Sequence, residues 1–113
     1  MQIKVKDQEG VASFHISGEI NIDTVAELKK AFKKVIDNKK RKVLLNFEAV
    51  NYIDSSGLAS LIELSRDLKN IQGIVFMSNL SAKVSSIFSI TKLDRIFKIF
   101  DTEVEALKNF YGY

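Results

Sequence analysis

Two short, almost uninterrupted apolar runs constrain the fold of this sequence more than any other feature. They occupy residues 43–47, read Val-Leu-Leu-Asn-Phe, and residues 74–77, read Ile-Val-Phe-Met. A strand with one wet face alternates apolar and polar residues, so these runs predict strands covered on both faces, as inside a parallel sheet. Between them, a stripe at helical spacing predicts a helix that crosses back over the sheet until about Gly73: Leu58, Leu61, Ile62, Ser65 and Leu68.

The amino-terminal part of the chain has the pattern of a β-hairpin. Residues 2–6 and 11–17 both alternate apolar and polar side chains. Residues 7–10 lie between them, and Gly10 can supply the left-handed backbone conformation that a short hairpin turn needs. We therefore predict an antiparallel hairpin with one core face and one wet face. On its second strand the core face holds Ala12, Phe14 and Ile16, and the other face holds Val11, Ser13, His15 and Ser17.

Three further helices and an edge strand are predicted from caps and periodicity. Thr24 and Glu27 have capping-box spacing at the start of a helix over residues 24–38. Ser81 can cap a third helix, and Asp101 or Thr102 can cap a last one that bears Val104, Leu107 and Tyr111. Residues 96–100 can form an edge strand. The predicted fold is a single α/β domain over residues 1–113, with a mixed four- or five-stranded sheet, an N-terminal antiparallel hairpin and about four helices.

The composition narrows the class of protein further. Apolar residues make up 46% and charged residues 27% of the chain, which is typical of a globular domain. The absence of cysteine excludes disulfides, thiolate chemistry and cysteine-based zinc sites. No apolar run approaches the roughly 20 residues that a membrane helix needs, and the amino terminus lacks the apolar block of a signal peptide. We therefore expect a cytoplasmic protein that does not insert into a membrane.

The net charge of +3 raises the question of nucleic-acid binding. Residues 39–42, read Lys-Lys-Arg-Lys, form a compact basic run of the kind that contacts phosphates. Most of the other nearby positive charge falls between the apolar positions of the first predicted helix, at Lys29, Lys30, Lys33 and Lys34. A solvated helix face explains that pattern better, so we expect no direct nucleic-acid partner.

The loop over residues 54–57, read Asp-Ser-Ser-Gly, holds the candidate functional residues. Right-handed crossovers place it at the carboxyl end of a central strand, directly before a helix whose first turn offers unpaired N–H groups. Asp54 or Ser55 can therefore act simply as a helix cap, with Gly57 present for close packing. The spacing alone favours this structural role.

Residues 52–58 nevertheless resemble the Asp-Ser-Ser/Thr-Gly-Leu signature of bacterial anti-sigma factor antagonists and related STAS domains. Residues 18–20, read Gly-Glu-Ile, followed by residues 24–28, resemble the Gly-Glu-Leu-Asp segment and first helix of that family. Residues 80–88 and then 93–100 resemble its late helix and its closing Leu-x-x-Ile-Phe pattern. The resemblance thus extends over essentially the full length, in the right order.

This resemblance implies a partner-switching cycle. In the family, the serine after the aspartate is phosphorylated by a partner that is both anti-sigma factor and serine kinase, which implies Ser55 here, with Ser56 as the second candidate. The unmodified antagonist binds that partner and frees the sigma factor, and a PP2C-type phosphatase resets the modified form. The free protein is expected to be a monomer. The implied partner-contact residues are Asp54, Ser55, Ser56, Gly57, Leu58, Ala59, Asn21 and Asp23.

One position departs from the family pattern. Many relatives carry an acidic residue after Gly-Glu-Leu, whereas this chain has Asn21 there and Asp23 two positions later. A partner contact made by that carboxylate is therefore in question.

Other classes of function fit less well. A serine hydrolase would need a base for Ser55, but the sole histidine, His15, lies on a predicted strand, where we expect it to face solvent or a partner. No glycine-rich phosphate loop and no metal-ligand spacing occurs, so we expect no catalytic residue, metal or cofactor. The open alternative is a constitutive STAS scaffold or binding subunit of a signalling or membrane transport assembly. Retention of both Asp54 and Ser55 favours the switch.

Overall fold

The computed structural model describes residues 1–111 and contains a five-stranded mixed sheet in which the strands are ordered as in the sequence. The first pair of strands is antiparallel and the remaining pairs are parallel. The strands are β1 (Gln2–Gln8), β2 (Val11–Ile20), β3 (Lys42–Ile53), β4 (Ile74–Ser78) and β5 (Lys98–Phe100). The helices are α1 (Val25–Asp37), α2 (Ser55–Asn70), α3 (Ala82–Ile90) and α4 (Glu103–Asn109), with a 3-10 turn at Leu93–Arg95. No helix within residues 1–111 is long and apolar enough to cross a membrane.

The predicted α/β architecture is confirmed, and the hairpin strands are longer than predicted. Only Glu9 and Gly10 form the turn, with φ values of 55° and 88°. Positive φ at both central residues is typical of the tight turn whose twist matches that of the strands it joins. Asp7 stabilises this turn because its Oδ1 accepts a hydrogen bond from the backbone N–H of Gly10 at 2.9 Å.

The main core lies between one face of the sheet and the helices α1, α2 and α3. β3 runs through its centre, and the side chains of Val43, Leu45 and Phe47 are completely buried. The ring of Phe47 meets the ring of Phe88 on α3 edge to face, with centroids 6.5 Å apart. Leu44, on the opposite face of β3, is also completely buried, as are Phe76 and Met77 on β4. The prediction of strands buried on both faces is therefore confirmed for both strands.

The prediction of a wet second face on the hairpin is wrong for the first part of β2. Val11 and Ser13 are buried, because the short helix α4 packs against this face of the sheet. The centre of the contact is Phe76 on β4, whose ring centroid lies 4.2 Å from that of Phe110. A second, smaller core therefore consists of Val11, Leu44, Phe76, Ala106 and Phe110.

The apolar face predicted for the last helix is correct only for Leu107, which is half-buried against this second core. Val104 and Tyr111 are 63% and 72% exposed, whereas Ala106 and Phe110 are buried. The helix is short, so the packing of Phe110 on Phe76 sets its rotation. Its cap is Thr102, one of the two predicted, whose Oγ1 accepts a hydrogen bond from the N–H of Glu105 at 3.2 Å.

The other predicted helix starts give a mixed result. Ser81 caps α3 as predicted, since its Oγ accepts from the N–H of Val84. The capping box of Thr24 and Glu27 is wrong, because Thr24 makes no side-chain cap bond. Its hydroxyl instead donates to the carbonyl of Glu19 at 2.9 Å and accepts from the N–H of Asn21 at 2.9 Å. The edge strand β5 is shorter than predicted, and Ile96 lies outside it.

Gly57 determines how closely α2 approaches the ends of β2 and β3. A Cβ atom at this position would lie 2.6 Å from Cγ1 of Ile53 and 2.8 Å from Cγ2 of Ile20. Both isoleucines are buried and β-branched, so neither can turn aside easily. The absence of a side chain at Gly57 therefore allows the start of α2 to rest on these two strand ends.

We expect Gly57→Ala to lower the free energy of unfolding by up to about 2 kcal/mol. Overpacking a core costs about 1–3 kcal/mol, and the gain in helix propensity on replacing glycine with alanine is at most about 1 kcal/mol. Urea denaturation measures the change. Ala59→Ser, at an exposed position of the same helix, is the control and should change stability by about 0.5 kcal/mol or less. Unchanged or increased stability of Gly57→Ala would contradict the packing argument.

Candidate functional site

Asp54 is the residue that organises the predicted functional loop. It follows β3 directly and is the N-cap of α2. Its Oδ1 accepts two hydrogen bonds, from the N–H of Gly57 at 3.0 Å and from Oγ of Ser56 at 2.6 Å. The capping role predicted from the sequence is therefore confirmed for Asp54.

Asp54 also joins this loop to the loop between β2 and α1. Its backbone N–H donates to the carbonyl of Ile20 at 3.0 Å, and its Oδ2 accepts from the N–H of Ile22 at 3.1 Å. These two bonds hold the loop of Asn21 and Asp23 against the start of α2. The structure thus brings together the two groups of predicted partner-contact residues, which are about thirty positions apart in the sequence.

These hydrogen bonds favour the ionised form of Asp54. The bond from the Ser56 hydroxyl has the largest effect, followed by that from the Gly57 N–H, and the N–H of Ile22 adds to them. Together they hold the pKa of the Asp54 carboxyl below its ordinary value of 3.8, although partial desolvation opposes the shift. A negative charge therefore lies beside the first turn of α2 at neutral pH.

The two serines of the loop differ in their surroundings. Ser56 is half-buried, and its hydroxyl is bound to Asp54. Ser55 is exposed as the first residue of α2, and no group within residues 1–111 forms a hydrogen bond with its hydroxyl. Asp54 therefore holds Ser56 and leaves Ser55 accessible.

The next three residues pass from the core to the surface. Gly57 is buried, Leu58 is half-buried against the main core, and Ala59 is exposed. The carbonyl of Gly57 accepts a hydrogen bond from the buried hydroxyl of Ser60 at 2.6 Å, which further orders this first turn. Of the predicted contact residues here, Gly57 positions the helix, whereas Ala59 is available to a partner.

Asn21 has a clear structural role in the neighbouring loop. Its Oδ1 accepts hydrogen bonds from the backbone N–H groups of Asp23 at 2.9 Å and Thr24 at 3.2 Å. An aspartate could accept the same bonds. However, Nδ2 of Asn21 also donates to Oε2 of Glu19 at 3.3 Å, which a carboxylate could not do. Asn21 therefore orders the loop without placing a second negative charge beside Glu19.

Three surface residues near these loops were not predicted as site residues. Ile22 lies between Asn21 and Asp23 and is 71% exposed. Tyr52, near the end of β3, is 37% exposed, and Nζ of Lys83 lies 5.3 Å from the centre of its ring. The sequence alone could have indicated Ile22 as a surface contact, because an isoleucine stands between two polar residues of a loop. It could not have indicated the contact between Tyr52 and Lys83, which depends on where α3 lies.

His15 lies elsewhere, on the second face of the sheet. It is half-buried, and its Nε2 lies 2.8 Å from Oε1 of Glu103 on α4. The expectation that His15 faces solvent is correct in part, because 34% of its side chain is exposed while Glu103 on α4 covers another part of it. His15 is opposite Asn46 in the middle of β3, whereas Ser55 follows the end of that strand. His15 therefore does not form a catalytic pair with Ser55.

The ionisation of Asp54 should appear in the pH dependence of stability. Its pKa is lower in the folded state, so its contribution is fully present above the unfolded value of 3.8 and is lost as the pH falls through the folded pKa. Asp54→Asn keeps an acceptor for Gly57 but lacks the charge. We expect the stability difference between the two proteins to be constant above about pH 5 and to shrink below the unfolded pKa. Urea denaturation between about pH 2 and 7 tests this, and a constant difference throughout would contradict it.

The chain is similar to known proteins over most of its length. The STAS domain family matches residues 2–106. A candidate anti-sigma factor antagonist of Thermotoga neapolitana is 33% identical over 95 residues, which cover 83% of this chain and 84% of the relative. The anti-sigma-B factor antagonist of Staphylococcus aureus is 26% identical over 106 residues, covering 93% of this chain and 98% of the relative.

A solved structure shows the same arrangement of strands and helices. The crystal structure of a candidate anti-sigma factor antagonist of Thermotoga maritima matches with a TM-score of 0.90 and 28% identity, covering 95% of this chain and 92% of the other. The five-stranded sheet, the Asp54 loop at the end of β3 and these similarities lead to one conclusion: the chain belongs to the STAS domain family, among relatives named as anti-sigma factor antagonists.

Proposed function

We propose that this protein is an anti-sigma factor antagonist whose phosphorylation at Ser55 ends its binding to a partner. In the unphosphorylated form it binds an anti-sigma factor that is also a serine kinase, and so releases the sigma factor. The observation that carries the proposal is the difference between the two serines: Ser55 has an exposed and unbonded hydroxyl, whereas the Ser56 hydroxyl is held by Asp54.

Accessibility favours Ser55 as the phosphorylated residue. A kinase must reach the hydroxyl from solvent and align it with the phosphate of ATP. Ser55 meets this requirement as it stands. At Ser56 the kinase would first have to break the 2.6 Å hydrogen bond from the hydroxyl to Asp54. Asp54 is also the residue that caps α2.

The position of Ser55 lets the fold tolerate the modification. A phosphate adds about 1.5 to 2 negative charges, and the positive end of a helix dipole favours negative charge near its first turn. The Asp54 carboxylate nearby opposes it, but solvent and salt screen the repulsion at an exposed site. Phosphorylation should therefore leave the folded structure largely unchanged.

The same charge is unfavourable inside an interface. A partner packed on Ser55 would have to desolvate the phosphate and accept its repulsion from Asp54. Each 1.4 kcal/mol of that cost weakens binding about tenfold, so about 4 kcal/mol would weaken it about a thousandfold. The switch can thus act by charge alone, without a change of fold.

The surface around Ser55 suits a protein partner. The exposed side chains of Ile22 and Ala59 offer small apolar contacts, and Asn21 and Asp23 offer polar groups at their edge. The bonds of Asp54 to Ile20 and Ile22 join the two loops into one ordered surface. A pre-ordered surface loses less conformational entropy when it binds.

The proposal includes the rest of the cycle. A phosphatase of the PP2C type would remove the phosphate and restore binding. The protein would act in the cytoplasm as a monomer between encounters and would have no catalytic activity of its own.

Mass spectrometry of the native protein tests the modified residue. Trypsin releases residues 43–66 as one peptide that contains both serines. We expect phosphate on Ser55, in an amount that depends on growth conditions, and none on Ser56. If the peptide is well observed but never modified, the constitutive scaffold or binding-subunit function replaces the switch. Phosphate on Ser56 would contradict the accessibility argument.

Binding to the partner tests the effect of the phosphate. Ser55→Ala cannot be phosphorylated at this residue and should capture the kinase partner stably, and that kinase should phosphorylate the wild type and Ser56→Ala but not Ser55→Ala. With the purified partner, calorimetry should show about a thousandfold weaker binding for protein phosphorylated at Ser55. Equal affinity of the two forms would contradict the proposed switch.

A further inference from the structure

A cleft at the opposite end of β3 from Ser55 has an unusual charge. Six described residues line it: Arg41, Lys42, Lys69, Gln72, Gly73 and Ile74. Its volume is about 510 Å³. Three of the six are cationic and none is acidic. We call it the basic cleft, and it includes the last two residues of the basic run at positions 39–42.

Tertiary contacts place Lys69 beside this run. The N–H of Ile74 donates to the carbonyl of Arg41 at 2.7 Å, and the N–H of Gly73 donates to the carbonyl of Leu68 at 2.6 Å. A Cβ atom on Gly73 would lie only 2.7 Å from the Arg41 carbonyl. The turn after α2 is therefore packed directly on Arg41, which fixes the backbone positions from which the three cationic side chains extend.

The three cations have no acidic partner in the part of the chain that the structure describes. Within residues 1–111, neither Arg41, Lys42 nor Lys69 forms an ion pair. The neighbouring Lys40 differs, because its Nζ lies 2.8 Å from Oδ2 of Asp7. The positive charge of the basic cleft is thus uncompensated by side chains.

The groove between α1 and α2 provides an internal comparison. Its lining includes three lysines (Lys29, Lys30 and Lys33) and three acidic residues (Asp37, Glu63 and Asp67). Lys29 lies 3.6 Å from Glu63, and Lys33 lies 3.0 Å from Asp37. The lysines of α1 thus belong to a balanced, solvated face, as predicted, whereas the basic cleft has three positive charges without a counterpart.

The negative end of the α2 dipole explains the presence of only one of these three cations. α2 ends at this cleft, and the carboxyl end of a helix is equivalent to about half a negative charge. One lysine, Lys69 in the last turn, is sufficient to offset it. Arg41 and Lys42 come from another segment and leave an excess of positive charge.

We infer that the basic cleft binds a phosphate group. The planar guanidinium of Arg41 can donate two parallel hydrogen bonds to phosphate oxygens, and Lys42 and Lys69 supply positive charges. The side-chain amide of Gln72 adds a neutral donor. The ligand is a phosphate-bearing anion, either a soluble phosphate compound or the headgroup of an anionic phospholipid. Because the cleft and Ser55 lie at opposite ends of β3, this inference is independent of the proposed switch.

Titration with inorganic phosphate at constant ionic strength, followed by amide NMR shifts, tests the site. We expect saturable shifts at Arg41, Lys42, Lys69 and Gln72. The triple variant Arg41→Gln/Lys42→Gln/Lys69→Gln should bind at least tenfold more weakly. The matched control loses the same charge in the balanced groove: Lys29→Gln/Lys30→Gln/Lys33→Gln. It should bind as the wild type does. The variant spectra show whether each protein is folded.

A second arm distinguishes the two sources of phosphate. Sedimentation with vesicles of phosphatidylcholine, with and without phosphatidylglycerol, measures binding to a headgroup. If the wild type and the control variant bind the anionic vesicles and the cleft variant does not, the ligand is a lipid headgroup. If the wild type binds phosphate saturably but does not bind the vesicles, the ligand is a soluble phosphate compound. Absence of both, or equal losses in the cleft variant and the control variant, would overturn the inference.

Discussion

The burial of β3 on both faces is the constraint on which the rest of this structure depends. Val43, Leu45 and Phe47 pack towards α1, α2 and α3, while Leu44 packs towards α4. A strand in this position must lie in the middle of the sheet, between β2 and β4. Its two ends are then held at opposite ends of the molecule. The loop of Ser55 follows one end, and the basic cleft is built around the other.

The geometry around Asp54 shows how a single residue orders the candidate site. Its carboxylate caps α2, holds the hydroxyl of Ser56 and binds the N–H of Ile22. These contacts leave the neighbouring Ser55 without a partner in the described structure. The loop is thus ordered around an accessible hydroxyl. In such a site, a change of charge can control binding while the backbone stays in place, which is consistent with a reversible switch.

The errors of sequence-based prediction share a physical cause. The rotation of α4 is set by the stacking of Phe110 on Phe76, two residues thirty-four positions apart, and no local periodicity encodes that contact. The hydroxyl of Thr24 forms bonds within the loop before α1 rather than at the cap, because Glu19 and Asn21 are nearer partners there. In both cases, contacts outside the helix prevailed over a local pattern, and for the cap of Thr24 that local preference is worth about 1 kcal/mol.

The sequence by itself determined the central strands, the hairpin, the crossover helix and the position of the Asp-Ser-Ser-Gly loop, because these depend on hydrophobic periodicity and on residues adjacent in the chain. It also contained the basic run at positions 39–42. Only the tertiary structure decided that the Asn21 loop lies against Asp54, that Ser56 rather than Ser55 is held, and that Lys69 joins Arg41 and Lys42 in one cleft. The first and the last depend on hydrogen bonds and close packing between distant segments, which form only when the helices fold back onto the sheet. The bond to Ser56 is local, but it depends on the orientation of the Asp54 carboxylate, whose other oxygen accepts from the N–H of Ile22 in the distant loop.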